Sequence, residues 1–272
     1  MDKSHKKKRK LEEYLRELGS VAVAFSAGVD STFLLKTAHD VLSDKAVAVT
    51  AISQLVPEAE TVSAKKFCSA NRIEHITFEY DPFSVEGFGS NPPDRCYICK
   101  RAIFTAIKEA AAKRGITNVA EGSNTDDIGD YRPGMRAVRE LKIISPLLEV
   151  GLSKSDIREL SREAGLSTWD KPSFACLASR FVYGDTITEE KLAMVDKAER
   201  KLLDLGFTQV RVRLHGKTAR IEIARSEFPK IIQPEIADGI GEYFRSLGFL
   251  YTALDLGGYK TGSMNKVLMP EK

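Results

Sequence analysis

The sequence predicts an α/β fold, a parallel sheet covered by helices and followed by a smaller α+β domain. Three observations carry this expectation. Through the first half of the chain, short apolar runs alternate with amphipathic segments of helical length, which is the spacing of βαβ units. Polar segments rich in Gly, Ser and Asp fall directly after the apolar runs, at the carboxyl ends of the strands, where open parallel sheets gather their ligands. Beyond residue 183 the pattern changes to helix, hairpin, helix and strand. Two domains are therefore expected, 1–183 and 184–272, and 272 residues are enough for each to bury a core.

The elements follow in order. Leu11-Glu12-Glu13-Tyr14-Leu15 has the apolar spacing of a helix, and the basic run Lys6 to Lys10 before it reads as a solvated or frayed first turn, with an RNA-binding arm as the lesser alternative. Val21 to Phe25 is the first strand, and Phe33-Leu34-Leu35-Lys36 opens a helix reaching about Leu42. Ala46 to Ile52 is a buried strand, Pro57 to Asn71 a helix with proline at its start, and Ile73 to Phe78 a third strand. A loop from Asp81 to Asp94 leads to an alanine-rich helix, Arg101 to Arg114, stopped by Gly115, and then to a fourth strand, Asn118 to Glu121. Ser153-Lys154-Ser155-Asp156 starts a helix that ends at Ala164 and Gly165. In the second domain, Thr188 to Leu205 is an amphipathic helix. Gln209 to Leu214 and Ala219 to Ile223 form a hairpin about His215-Gly216-Lys217, Pro234 to Leu247 is a helix, and Tyr251 to Leu254 is a last strand.

Composition excludes several classes. A formal charge of +3, from 41 basic and 38 acidic residues, supplies no strong field for nucleic acid or a membrane surface. No run approaches the ~20 apolar residues of a membrane span, and charges stand where a signal peptide needs its apolar core. A cytoplasmic protein is expected. There the four cysteines, Cys68, Cys96, Cys99 and Cys176, are reactive, metal-binding or buried rather than a disulfide framework.

Ser26-Ala27-Gly28-Val29-Asp30-Ser31-Thr32 joins the first strand to its helix. Small residues at Ser26, Ala27 and Gly28 let backbone N–H groups approach an anion, and the Ser31 and Thr32 hydroxyls add donors where the helix dipole favours negative charge. The alternative is an ordinary capped turn, yet Asp30 beside two hydroxyls exceeds what capping requires. Neither the Walker pattern nor the Gly-x-Gly-x-x-Gly fingerprint stands here. The loop resembles the PP-loop, Ser-Gly-Gly-x-Asp-Ser, of enzymes that split ATP into AMP and pyrophosphate while adenylating a carbonyl oxygen. Ala27 replaces the first glycine, a mild departure if the position needs no positive φ. Ser53 and Gln54 follow the second strand, and Gly122-Ser123-Asn124-Thr125-Asp126-Asp127 follows the fourth. The resemblance implies that these loops border the nucleotide, with Asp126 or Asp127 helping to hold magnesium. Their plainer reading is turn formation.

Arg95-Cys96-Tyr97-Ile98-Cys99-Lys100 sets a Cys-x-x-Cys between basic residues at a helix start, which favours thiolates. With no second Cys-x-x-Cys and no spaced histidine pair, a zinc knuckle is not expected. Cys176, in the loop Pro172 to Arg180, has Lys171 and Arg180 near it to lower its pKa and hold an anionic substrate, so it reads as a sulfur nucleophile or as a buried loop thiol. Arg211 and Arg213 alternate with Val210 and Val212. They point to one face where they would grip a phosphate, unless Glu222 on the paired strand neutralises one of them.

Ser26 to Thr32, Pro172 to Arg180, Arg211-Val212-Arg213 and the tail Leu254 to Asn265 together resemble the LarE family of ATP-dependent sulfur transferases, over nearly the whole chain. The resemblance implies adenylation of a carboxylate of a pyridinium dicarboxylate mononucleotide, then replacement of oxygen by sulfur, in nickel-pincer nucleotide biosynthesis. It implies Ser26, Gly28, Asp30, Ser31, Thr32, Ser53, Gly122 and Asp126 around ATP and Mg2+. Cys176 takes the sulfur-bearing position, and Lys100, Ser179, Arg180, Arg211 and Arg213 face the substrate. Cys96, Cys99 and Cys176 match the trio that holds a [4Fe-4S] cluster in three-cysteine members, the type this chain is expected to follow, with the route of lone-cysteine members, which give up their own sulfur, as the alternative. A homo-oligomer is also implied. The alternatives are a PP-loop tRNA thiolase, disfavoured by the missing basic surface, and a non-catalytic nucleotide-binding protein.

Overall fold

The computed structural model describes residues 3–128, 133–172 and 175–260. They form two compact units, one from the described residues of Met1–Asp81 and Cys96–Phe174 and the other from those of Pro82–Arg95 and Ala175–Lys272. Residues 82–95 and 175–183, assigned from sequence to the first domain, thus belong to the second unit.

The first unit runs α1 (Lys3–Leu18), β1 (Val21–Ala24), α2 (Val29–Leu42), β2 (Ala46–Ile52), α3 (Glu58–Asn71), β3 (His75–Glu79), α4 (Arg95–Ala112), β4 (Val119–Ala120), α5 (Gly134–Glu140), α6 (Pro146–Glu149) and α7 (Lys154–Glu163). Its sheet is parallel throughout, in the order β3-β2-β1-β4. Alternate strand residues go to opposite cores, as the period of two demands. Val21, Val23, Ala46 and Ala48 face Leu11, Leu15, Phe33, Leu34, Ile157 and Leu160, while Ala22, Val47 and Val49 face Phe104, Ile107 and Val138. Both faces are therefore apolar and covered, which is why the strands read as unbroken apolar runs.

One boundary differs from expectation. The basic run lies inside α1 rather than at a frayed end, with Lys7 on Asp156 at 2.5 Å and Lys8 on Glu12 at 3.0 Å. Helix α4 begins at Arg95 and continues into the alanine-rich stretch, with Arg95 to Lys100 at the helix start as the sequence indicated. The Cys-x-x-Cys therefore occupies its first turns.

The second unit contains α8 (Glu189–Asp204), β5 (Arg211–His215), β6 (Thr218–Glu222), α9 (Phe228–Ile231), α10 (Pro234–Leu247) and β7 (Tyr251–Leu254). Its sheet, β5-β6-β7, joins an antiparallel hairpin to a parallel edge strand. Gly216 at φ +59° makes the two-residue turn between β5 and β6. Among the described residues no helix is long and apolar enough to cross a membrane.

Candidate active site

Past β1 the chain turns through Ser26, Ala27 and Gly28 into α2. The N-cap of α2, Gly28, has no side chain to cap it, so the first N–H groups of a 14-residue helix keep their capacity for a ligand. Ser26 and Ser31 Oγ atoms lie 3.0 Å apart, and Thr32 N–H donates to the Gly28 carbonyl at 3.0 Å as the first helical bond. Thr32 Oγ1 is buried without a hydrogen-bond partner. The first N–H groups of α2 and the Thr32 hydroxyl are thus the donors left for an anion.

Ala27 has φ +53°. The position does need a positive φ, so the departure from glycine is not conformationally free. Left-handed backbone costs an alanine about 1–2 kcal/mol. Burial of its methyl group, 2% exposed within the core, offsets about 0.8 kcal/mol, and alanine's stiffer unfolded chain offsets about 0.4–1 more. These terms nearly cancel, so Ala27→Gly is expected to shift stability by less than about 1 kcal/mol in denaturant unfolding. A shift beyond about 2 kcal/mol either way would refute that balance. The Ala27 carbonyl accepts from Lys171 Nζ at 3.1 Å, and Lys171 also pairs with Glu60 at 2.6 Å. Lys171, expected beside Cys176, is thus tied to the anion loop.

Asp30, the second residue of α2, accepts from Lys154 Nζ at 2.5 Å and lies 3.4 Å from Asn124 Nδ2. Burial holds its carboxyl above the usual aspartate range, the charge of Asp127 adds to this, and Lys154 opposes both. A raised folded pKa means the folded state binds the proton more tightly than the unfolded chain, so stability falls as pH rises through that range. Asp30→Asn removes the ionisation. Its melting temperature relative to the parent is expected to rise as pH is raised above the ordinary aspartate range, and a difference that stays constant there would refute the assignment.

The loop after β4 comes close to the start of α2. A Cβ on Gly122 would stand 3.1 Å from Ser31 N and 3.3 Å from Asp30 Cβ, so only glycine fits without displacement. Asp126 Oδ2 accepts the Lys154 amide at 3.0 Å and Asp127 Oδ2 the Asn124 amide at 3.0 Å. Both carboxylates therefore already hold the loop. Among the described residues no three His, Cys, Asp or Glu side chains gather as a metal site. That gives an iron–sulfur cluster no support. Magnesium is commonly carried by substrate phosphates plus one or two carboxylates, and Asp30 is the carboxylate within the anion loop itself.

Beside Ser26 opens a cleft of about 210 Å³, lined among others by Phe25, Thr61, Lys100, Ile103 and Phe104. Its apolar walls suit a planar base. Ser53 lies outside this lining and shapes the turn after β2, its Oγ accepting Leu55 N–H at 3.2 Å. On α4, Cys96 is exposed and Cys99 is half-buried with the Tyr80 hydroxyl 3.7 Å from its sulfur.

In the second unit Cys176 is exposed at the start of a single helical turn, Leu177–Arg180. Arg180 is fully buried. Its Nε and Nη2 donate to the Glu199 carboxylate at 2.9 and 2.8 Å, and its Nη1 donates to the carbonyls of Ala175 and Cys176 at 2.7 and 3.1 Å and to Ser179 Oγ at 2.9 Å. Arg213 donates to the Ser179 carbonyl and to Glu222, each at 2.9 Å, so Glu222 does neutralise one of the paired arginines. Arg211 stacks on Tyr259 with its guanidinium 5.2 Å from the ring centre. Burial, then the charge of Arg180, pushes its pKa down to about 10. The guanidinium of Arg180 thus clamps the cysteine loop from inside. Ser173 and Phe174 of this loop, and the tail from Thr261 to Asn265, lie outside the described residues.

Sequence reasoning missed Lys154 and Glu199. Lys154 stood inside a helix-start motif that capping alone explained. Glu199 did leave a signal, since it interrupts the buried stripe Leu192, Val195, Leu202 of α8 with a charge.

The parallel sheet with this anion loop at the end of β1 makes the chain a PP-loop α/β enzyme. No family model matches the chain. It is 38% identical over 266 residues, 96% of this chain and 95% of the relative, to pyridinium-3,5-bisthiocarboxylic acid mononucleotide synthase of Lactiplantibacillus plantarum. An uncharacterised protein of Synechocystis sp. is 40% identical over 259 residues, 95% of this chain and 96% of its own. A more distant relative, argininosuccinate synthase of Natronomonas pharaonis, is 29% identical over 159 residues, 54% of this chain and 39% of its own. The chain belongs to the LarE family of sulfur transferases.

Proposed function

We propose that the protein is an ATP-dependent sulfur transferase that adenylates a carboxylate of a pyridinium dicarboxylate mononucleotide and converts it to a thiocarboxylate, releasing pyrophosphate and AMP. The observation that carries this is the uncapped start of α2, with its unpartnered Thr32 hydroxyl, beside an apolar cleft. The full-length likeness to a thiocarboxylate mononucleotide synthase supplies the substrate class.

A carboxylate resists attack until its oxygen becomes a good leaving group. In this reading the N–H groups and hydroxyls of Ser26, Gly28, Ser31 and Thr32 hold the phosphate chain, and the cleft takes the adenine. Asp30 is the residue that would hold magnesium in place of its bond to Lys154; the metal would supply charge neutralisation for the departing pyrophosphate, and Lys154 would then be available to the phosphates. In the first unit Lys100 is assigned to the anions that bind at the cleft, the nucleotide phosphates and the anionic substrate; in the second, Ser179, Arg211 and Arg213 are assigned to that substrate. The Cys176 thiolate then attacks the acyl carbon and AMP leaves, giving a thioester. Loss of the Cys176 α-proton breaks its Cβ–Sγ bond, leaving dehydroalanine on the chain and sulfur on the product as thiocarboxylate. Cytoplasmic action on a small nucleotide, with assembly into a homo-oligomer, belongs to the same proposal.

The test is anaerobic incubation with ATP, Mg2+ and the pyridinium mononucleotide, followed by product analysis and intact mass. AMP and thiocarboxylate in equal amounts, with one hydrogen sulfide equivalent lost from Cys176, is the expected result. Thiocarboxylate with an unchanged polypeptide would move the sulfur source to a cluster on Cys96, Cys99 and Cys176. Failure to form AMP would overturn the adenylation itself.

A further inference from the structure

Gly134 opens α5 where that helix meets the cysteine-bearing turns of α4. Its φ is not positive, so the backbone does not demand glycine. Space does. A Cβ built there would stand 2.6 Å from Lys100 Cδ, 3.2 Å from Lys100 Cε and 3.4 Å from the Cys96 carbonyl oxygen. Real side chains do not approach so closely to the first of these atoms, so either the Lys100 stem or α5 would have to move. The stem is the softer of the two, because it is held by packing alone while α5 is tied to the core through buried Ala137 and Val138.

The stem's course decides where the charge goes. Lys100 lines the cleft beside Ser26, and its Nζ lies 5.8 Å from the centre of the Phe104 ring. A flexible four-carbon chain would otherwise sample many rotamers, each costing entropy to fix on binding. Lys100 Cδ and Cε run through the space that a Cβ at position 134 would occupy, so the stem keeps this course only while that side chain is absent.

We propose that Gly134 is a positioning residue: by omitting a side chain at this contact, it leaves the Lys100 stem in the course that turns the ammonium toward the phosphates of the nucleotide whose base the cleft takes. The inference rests on the nucleotide reading of the cleft. It predicts that Gly134→Ala impairs binding without harming the fold, since alanine at a helix start is at least as favourable as glycine.

The test is calorimetric titration of α,β-methylene-ATP with Mg2+ into the parent, Gly134→Ala, Lys100→Ala and the double variant, with melting temperatures for each. Each single variant is expected to bind about tenfold more weakly, the worth of one charge-assisted contact. The double variant is expected to bind no worse than Lys100→Ala, because removing the stem removes the clash, and Gly134→Ala should melt with the parent. Parent-like binding by Gly134→Ala, additive losses in the double variant, or a melting point lowered in Gly134→Ala and not restored in the double variant would each overturn the proposal. Parent-like binding by Lys100→Ala would overturn it too while leaving the cleft as the nucleotide site. A parent that binds no nucleotide would remove both readings.

Discussion

Cys176→Ala is expected to reduce thiocarboxylate formation by at least about a thousandfold while the first turnover of pyrophosphate release stays within about twofold of the parent. The groups assigned to phosphate and base belong to the first unit, whereas Cys176 belongs to the second, and the proposed mechanism asks of it only the attacking sulfur. Removing the nucleophile should therefore stop the reaction at the acyl-adenylate. Mixing enzyme with ATP and the pyridinium mononucleotide, then quantifying pyrophosphate and thiocarboxylate on the same samples, gives both numbers. Equal loss of the two would mean that Cys176 takes part in adenylation or in holding the nucleotide. Parallel measurements on Cys96→Ser and Cys99→Ser decide the sulfur source, since the proposed route needs neither thiol.

Glu199→Ala is expected to destabilise the second unit by about 3–5 kcal/mol, the penalty for breaking a buried ion pair from one side. Arg180 has no solvent exposure, and its Nε and Nη2 both rest on this one carboxylate. Glu199 Oε1 also accepts the Val212 amide at 2.8 Å, so the substitution orphans a strand N–H as well as a guanidinium. Replacing both partners with apolar residues, Arg180→Met with Glu199→Leu, should recover the part of the loss that comes from the unpaired charge, while the Val212 N–H stays without its acceptor. Thermal and denaturant unfolding followed by circular dichroism would measure this. A single variant within about 1 kcal/mol of the parent would show that Arg180 finds other compensation. The double variant has a second use: it should fold yet leave the Cys176 loop without its clamp, separating stability from activity.

The first unit was more legible in sequence than the second, and the residues show why. Val21 to Phe25 and Ala46 to Ile52 run through the doubly covered sheet, and continuous apolar runs have few alternative interpretations. Asp30, Ser31 and Gly28 sit in one heptapeptide, so their convergence is guaranteed by chain connectivity. Lys154 reaches Asp30 across 124 residues, and no local pattern records a contact of that span. The same limit applies to Arg180 and Glu199. Sequence marked Arg180 as a cation available to substrate, because a single charged residue in a loop reads as solvent-facing, whereas the fold buries it and commits its donors to the loop's own carbonyls. The arginines of β5 were placed on a strand correctly and Glu222 was legible as the counterion of one of them; which arginine it takes, Arg213, depends on the register with β6.

The segment after β4 carries one more consequence. Asn124 and Asp127 close a reciprocal cap on their own turn, Ser153 and Asp156 close another at the start of α7, and Asp126 joins the two through the Lys154 amide. Thr125 N–H adds a bond to the Leu152 carbonyl at 3.0 Å. These bonds are internal to the protein and exist before any ligand does. The segment is therefore a fixed shelf rather than a flap: its ordering is completed during folding, and a nucleotide that settles against it keeps the binding free energy that a closing lid would have consumed.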